Sequence, residues 1–240
     1  LAAIGRHDEA VPLFDKSLAG NPTHIDAMTA RARSLMVLER FGEVVETDDR
    51  ILSLNPTLID VWMQKGDALT SQSQKQEAIG AYSKALEINS GFADAWIRKG
   101  NALMDLNKVQ DAIGAYSRAL EINPALCDIW MRKGDALQQL GKTEDAIVAY
   151  GKSLKIDPDN EPGWICQGRA LFDLTRYQDA IDAFDNAISL NQRSIEAFWY
   201  KGLALEKVNR HEGAIHVFEI LLEIDPKNGD AQFHKGLALA

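Results

Sequence analysis

From Ala93 to Leu126 the apolar positions fall into two helical registers. Trp96, Gly100 and Leu103 stand at i, i+4 and i+7, one face of a helix. Ile113, Tyr116, Ala119 and Leu120 make a second such face. Between them lies a short polar turn, Asn107-Lys108. Asn123-Pro124 ends the second helix, because the residue before a proline is pushed out of the helical region. The stretch therefore predicts two antiparallel helices. Small residues at Gly100 and Ala112 allow close approach, with Trp96 and Tyr116 filling the space above and below that contact.

The same pattern returns every 34 residues. Its strictest row is Gly66, Gly100, Gly134, Gly168, Gly202 and Gly236. Trp62, Ala78 and Tyr82 belong to the preceding copy; Trp130, Ala146 and Tyr150 to the next; Trp164, Ala180 and Phe184 to the one after. One such hairpin cannot bury its own apolar face, and stacking its neighbours does so. The prediction is one domain over 1–240: a partial repeat at 1–24, full repeats at 25–58, 59–92, 93–126, 127–160, 161–194 and 195–228, and a partial repeat at 229–240. The opening at Leu1 rather than Met reads as a fragment of something longer.

Trp62, Gly66, Ala78, Tyr82 and Ala85, and the matching residues of the other copies, resemble the tetratricopeptide repeat. That family has an aromatic at position 4, Gly or Ala at 8, Ala at 20, an aromatic at 24, Ala at 27 and Pro at 32. The resemblance covers nearly the whole chain. It implies an all-α, right-handed superhelical solenoid of antiparallel helical hairpins. Two repeats depart from the pattern. In 25–58, Met28, Ala32, Val44 and Asp48 replace Trp, Gly, Ala and the aromatic, so Asp48 is either exposed by local rearrangement or lowers stability. That repeat is expected to be the loosest internal one. In 195–228 the tryptophan is displaced by one, with Phe198 at position 4 and Trp199 at position 5.

The resemblance also implies that first helices line a concave groove, with positions 2, 5, 9, 12 and 13 facing it. Position 5 reads Thr29, Met63, Ile97, Met131, Ile165, Trp199 and Phe233, an apolar row where solvent exposure is expected. Position 9 includes Arg33, Asp67, Asn101, Asp135 and Arg169; position 12 adds Met36, Met104 and Phe172. Met63, Asp67, Ile97, Asn101, Met104, Met131, Asp135, Ile165, Arg169, Phe172 and Trp199 are thus the candidate groove residues. Acids at position 2, from Asp26 and Asp60 onward, also suit the first turn of a helix, where the macrodipole favours them. Lysines at position 7 (Lys65, Lys99, Lys133) stand i+3 from a tryptophan, which suits a stem lying over the indole. The family's carboxylate clamp for acidic chaperone tails is not assembled: Ile97 stands where it needs Lys beside Asn101, and Asp128 takes the place of another lysine.

Charge and composition narrow the reading. A formal charge of −9 argues against nucleic acid. No apolar run reaches the roughly 20 residues of a membrane helix. Cys127 and Cys166 suggest no disulfide framework, which favours a cytoplasmic setting. Gly141-Lys142-Thr143 lacks the first glycine of a phosphate loop, since Ala136 stands there. His211 and His216 are five apart, about 140° around a helix, so they share no metal. No catalytic residue, metal or cofactor is expected. The functional expectation is a non-catalytic protein–protein interaction scaffold that takes a protein or peptide segment in the groove. The alternative is a regulatory or substrate-selecting arm of a larger enzyme. Head-to-tail self-association is also expected, through apolar residues at the two ends: Ile4, Val11, Phe14 and Leu18 against Phe233, Leu237 and Leu239.

Overall fold

The computed structural model describes residues 5–239, so Leu1, Ile4 and Ala240 lie outside the described residues. The described residues form fourteen helices and no strand. The chain divides into two compact units, Leu1–Asn123 and Pro124–Ala240.

Unit 1 carries α1 (His7–Gly20), α2 (Ile25–Val37), α3 (Phe41–Leu54), α4 (Ile59–Ser71), α5 (Lys75–Ile88), α6 (Ala93–Asp105) and α7 (Val109–Ile122). α2 pairs with α3, α4 with α5 and α6 with α7, while α1 also packs against α2, α3 against α4 and α5 against α6. Unit 2 repeats the arrangement with α8 (Cys127–Gln139), α9 (Thr143–Ile156), α10 (Glu161–Asp173), α11 (Tyr177–Leu190), α12 (Ile195–Lys207), α13 (His211–Ile224) and α14 (Gly229–Leu239).

The hairpin contact is built on glycine. A Cβ at Gly100 would lie 2.6 Å from Cε1 of Tyr116, and one at Gly168 would lie 2.6 Å from Cε1 of Phe184. Gly66 faces Tyr82, Gly134 faces Tyr150 and Gly202 faces Phe218 in the same way. These rings are buried, as are Ala78, Ala112, Ala146 and Ala180 beside them. With a ring at position 24, a larger residue at the glycine would oblige the ring or the helices to shift.

The turns inside the hairpins share one geometry. Glu39, Ser73, Asn107, Gly141, Thr175 and Asn209 all sit at positive φ. The next residue's N–H returns to the buried leucine near the end of the first helix, as from Lys108 to Leu103 at 2.9 Å and from Arg176 to Leu171 at 2.9 Å. This closes the helix by satisfying its last carbonyls.

The turns between hairpins are held differently. The tryptophans at position 4 are half-buried, and their indole N–H groups donate to loop carbonyls. Trp62 reaches Pro56 at 2.9 Å, Trp96 reaches Ser90 at 2.9 Å and Trp130 reaches Pro124 at 2.9 Å. Trp96 therefore corrects the expectation of a space-filling ring: it is a hook on the preceding loop as much as a core residue.

Candidate functional site

Position 9 is tied to position 24 of the same repeat. The Tyr82 hydroxyl donates to Asp67 Oδ1 at 2.9 Å, Tyr116 to Asn101 Oδ1 at 2.8 Å and Tyr150 to Asp135 Oδ1 at 2.9 Å. Each bond joins the first helix to the second beneath the glycine contact. Burial, first of all, raises the pKa of the Tyr82 and Tyr150 phenols, so they stay neutral donors at ordinary pH. Where position 24 is Phe184 or Phe218, no hydroxyl is present, and position 9 holds Arg169 or Leu203 instead. Arg169 is free to turn outward, pairing with Glu196 at 3.0 Å and lying 5.5 Å from the Tyr200 ring centroid.

The same atoms also meet neighbouring repeats. In unit 1, Arg98 bridges Asp67 at 2.6 Å and Asp94 at 2.9 Å. In unit 2, Asp135, Gln138, Tyr150, Cys166, Arg169 and Ala170 surround a small cleft of about 180 Å³. Burial, reinforced by Asp135, pushes the Cys166 thiol up to about 11. It is no thiolate nucleophile near neutral pH.

The position-5 row is less open than the sequence suggests. Met63 and Ile165 are buried, while Ile97, Met131 and Trp199 are half-buried. Part of the row packs between neighbouring helices; Ile165 belongs to a core cluster with Phe184 and Ala197. Trp199 stacks edge-on against His234 at 5.3 Å and tilts over Phe218 at 5.9 Å. At position 12, Met104 is half-buried, and Phe172 meets Tyr177 at 5.2 Å and Tyr200 at 5.9 Å, both edge-on.

The lysines at position 7 lie over indoles. The Nζ atoms of Lys65, Lys99 and Lys133 stand 5.5, 5.3 and 5.4 Å from the centroids of Trp62, Trp96 and Trp130. Lys65 also pairs with Asp49, and Lys201 with Asp185 at 2.5 Å, each acid lying on the preceding second helix.

In the repeat 25–58, Asp48 is wholly buried and neither carboxylate oxygen has a hydrogen-bond partner. The helix around it is regular, which removes the alternative of local exposure. Burial, then the neighbouring Asp49 carboxylate, push Asp48 up to about 8, against a smaller opposing pull from Lys65.

Sequence profiles described as tetratricopeptide repeat match residues 59–92, 93–126, 127–160 and 167–229. The chain belongs to the tetratricopeptide repeat family.

Solved structures agree on the fold. The C-terminal part of a TPR repeat-containing protein from Cytophaga hutchinsonii matches with a TM-score of 0.81 at 19% identity, over 95% of this chain and 94% of that one. YrrB, a TPR protein with an unusual peptide-binding site, matches with a TM-score of 0.70 at 19% identity, over 80% of this chain and 99% of that one. A structure of Naa15/Naa10 bound to HypK-THB matches with a TM-score of 0.69 at 16% identity, over 99% of this chain and 37% of that one. A search of curated proteins finds no match.

Membership in the tetratricopeptide family carries a coarse function, that of a protein-interaction scaffold. Among the described residues, no helix is long and apolar enough to cross a membrane. No group of three His, Cys, Asp or Glu side chains among them is placed to hold a metal. Two tetratricopeptide features differ in how far the sequence shows them. The indole hook needs the loop's path, which no spacing reveals. The pairing of position 9 with position 24 was visible, since Asp or Asn accompanies each tyrosine and neither accompanies a phenylalanine.

Proposed function

We propose that this chain is a non-catalytic scaffold whose first helices bind a protein or peptide segment along positions 5, 9 and 12. One observation carries the reading. Tyr82, Tyr116, Tyr150, Phe184 and Phe218 at position 24 are buried, yet the first helices keep large apolar side chains partly exposed at positions 5 and 12. In unit 1 these are Ile97 and Met104; in unit 2 they are Met131, Phe172 and Trp199. Methionine suits such a face because it repacks around different partners. The two cysteines, both free thiols, fit a cytoplasmic setting.

The test is a selection of peptides from a random displayed library, followed by affinity measurements on the variants Ile97→Glu and Met131→Glu. A selected ligand should lose about tenfold or more with at least one variant, while the helical circular dichroism is unchanged. Equal affinity for the wild type and both variants would remove the first-helix face as the binding surface.

A second reading concerns self-association, favoured by the surface of α14. Phe233, Leu237 and Leu239 are exposed there, and nothing lies within 4 Å of a Cβ built on Gly236, unlike the ring-facing glycines Gly66 to Gly202. Phe14, half-buried on α1, stands at position 24 and has the chemistry to seat on the Gly236 of a second copy. Light scattering over a concentration series should show growing mass that Gly236→Leu suppresses. A constant monomer mass would exclude it.

A further inference from the structure

The front of unit 1 holds a cleft that the position-5 row leaves open. Large apolar side chains fill that row from Met63 onward, but the equivalent residue of α2 is Thr29. Its hydroxyl turns back to donate to the Ile25 carbonyl at 2.9 Å. Beside it a cleft of about 490 Å³ opens between α2, the start of α4 and the loop entering α6. Ile25, Ile59 and Phe92, all half-buried, supply apolar lining. Asp26, Asp60 and Arg33 supply the charge, and all three are exposed.

These charges are not spent within the fold. Asp94, at the same repeat position as Asp26 and Asp60, is held by Arg98 at 2.9 Å. Neither Asp26 nor Asp60 has an ion-pair or hydrogen-bond partner among the described residues, and neither has Arg33. Position 9 lacks a hydroxyl partner here: in the repeats 59–92, 93–126 and 127–160 a tyrosine hydroxyl takes it, and in this repeat position 24 is the buried Asp48. A first-turn acid is favoured by the helix dipole. The dipole does not account for an apolar-lined space beside two such acids.

We infer that this cleft takes an extended peptide that presents a basic side chain to Asp26 and Asp60 and a neighbouring apolar side chain to Ile25, Ile59 and Phe92. The inference rests on the interaction reading above and names a partner chemistry and a place for it. Two carboxylates against one guanidinium leave the lining acidic, so like-charged segments are repelled. The apolar lining supplies contact area, and the charges select the partner.

The test uses two short blocked peptides as probes, one alternating leucine with arginine and the other alternating leucine with glutamate. Each is titrated into the nitrogen-15-labelled chain. The arginine peptide should shift the amide signals of Thr29, Asp60 and Phe92, and the glutamate peptide should not. The double variant Asp26→Asn, Asp60→Asn should weaken the arginine peptide by about tenfold and leave the chain cooperatively folded, with only the small drop in melting temperature that losing two first-turn acids brings. Equal binding of both peptides, or wild-type affinity in the double variant, would overturn the inference. Arginine-peptide shifts confined to the faces around Ile97 or Met131 would remove the cleft and leave the interaction reading standing. An empty library selection, by contrast, would strike the interaction reading itself.

Discussion

Two glycines on the hairpin 93–126 separate close packing from mere flexibility. Gly100 faces the Tyr116 ring, whereas a Cβ on Gly114 would meet nothing within 4 Å. Gly100→Ala should therefore destabilise by about 1–3 kcal/mol through overpacking. Gly114→Ala should stabilise by about 0.5–1 kcal/mol, because alanine is the better helix former. Thermal melts of the two variants should move in opposite directions, and movement in the same direction would contradict the packing described here. Asp48 offers a second residue-level test. Its pKa is raised from 3.8 to about 8 in the fold, so between those values the folded chain holds a proton that the unfolded chain has released. Stability from this site is therefore fullest below pH 3.8, declines as pH rises through the window, and levels off above about 8. Asp48→Asn cannot ionise, so its stability advantage over the wild type should widen by up to about 1.4 kcal/mol per pH unit inside the window. A pH-independent difference would show that Asp48 is already ionised in the fold. The sequence marked Asp48 as misplaced. It did not say whether the helix would give way or the carboxyl would stay buried, because that depends on how firmly α2 and α4 hold α3.

At the scale of elements, the helical hairpins were legible because period, polar turns and the proline stops all agree. The helices begin and end within a few residues of the predicted turns. The turn conformation was not legible, since five residue types occupy one left-handed position: Glu39, Ser73, Asn107, Gly141, Thr175 and Asn209. The backbone bonds to the buried leucines impose that conformation whatever the side chain. Thr175, at φ 59°, is the β-branched member and the most strained. Thr175→Asn should stabilise by about 0.5–1 kcal/mol, and Asn107→Thr should destabilise by a similar amount. Denaturant melts would check both, with unchanged midpoints counting against strain at this position. The exposure of the position-5 row was the least legible feature. Met63 and Met131 share a residue type and a repeat position, yet one is buried and the other half-exposed. One-dimensional spacing carries no trace of that difference.

For the whole molecule, the central claim is that binding belongs to the first helices and stability to the second. The division follows from where the side chains go. Tyr82, Tyr116, Tyr150, Phe184 and Phe218 are consumed in the hairpin contacts, while Ile97, Met104, Met131, Phe172 and Trp199 remain partly exposed. The family resemblance implies that the first helices carry the interaction; it does not show that Met63 and Ile165 are buried, nor that a cleft opens at Thr29. Amide hydrogen exchange with and without a library-selected peptide tests the claim most directly. The account predicts slowed exchange in α4 and α6 of unit 1 or in α8, α10 and α12 of unit 2, with α5, α7, α9 and α11 unchanged. Protection confined to the second helices, with the first helices exchanging as in the free chain, would contradict it.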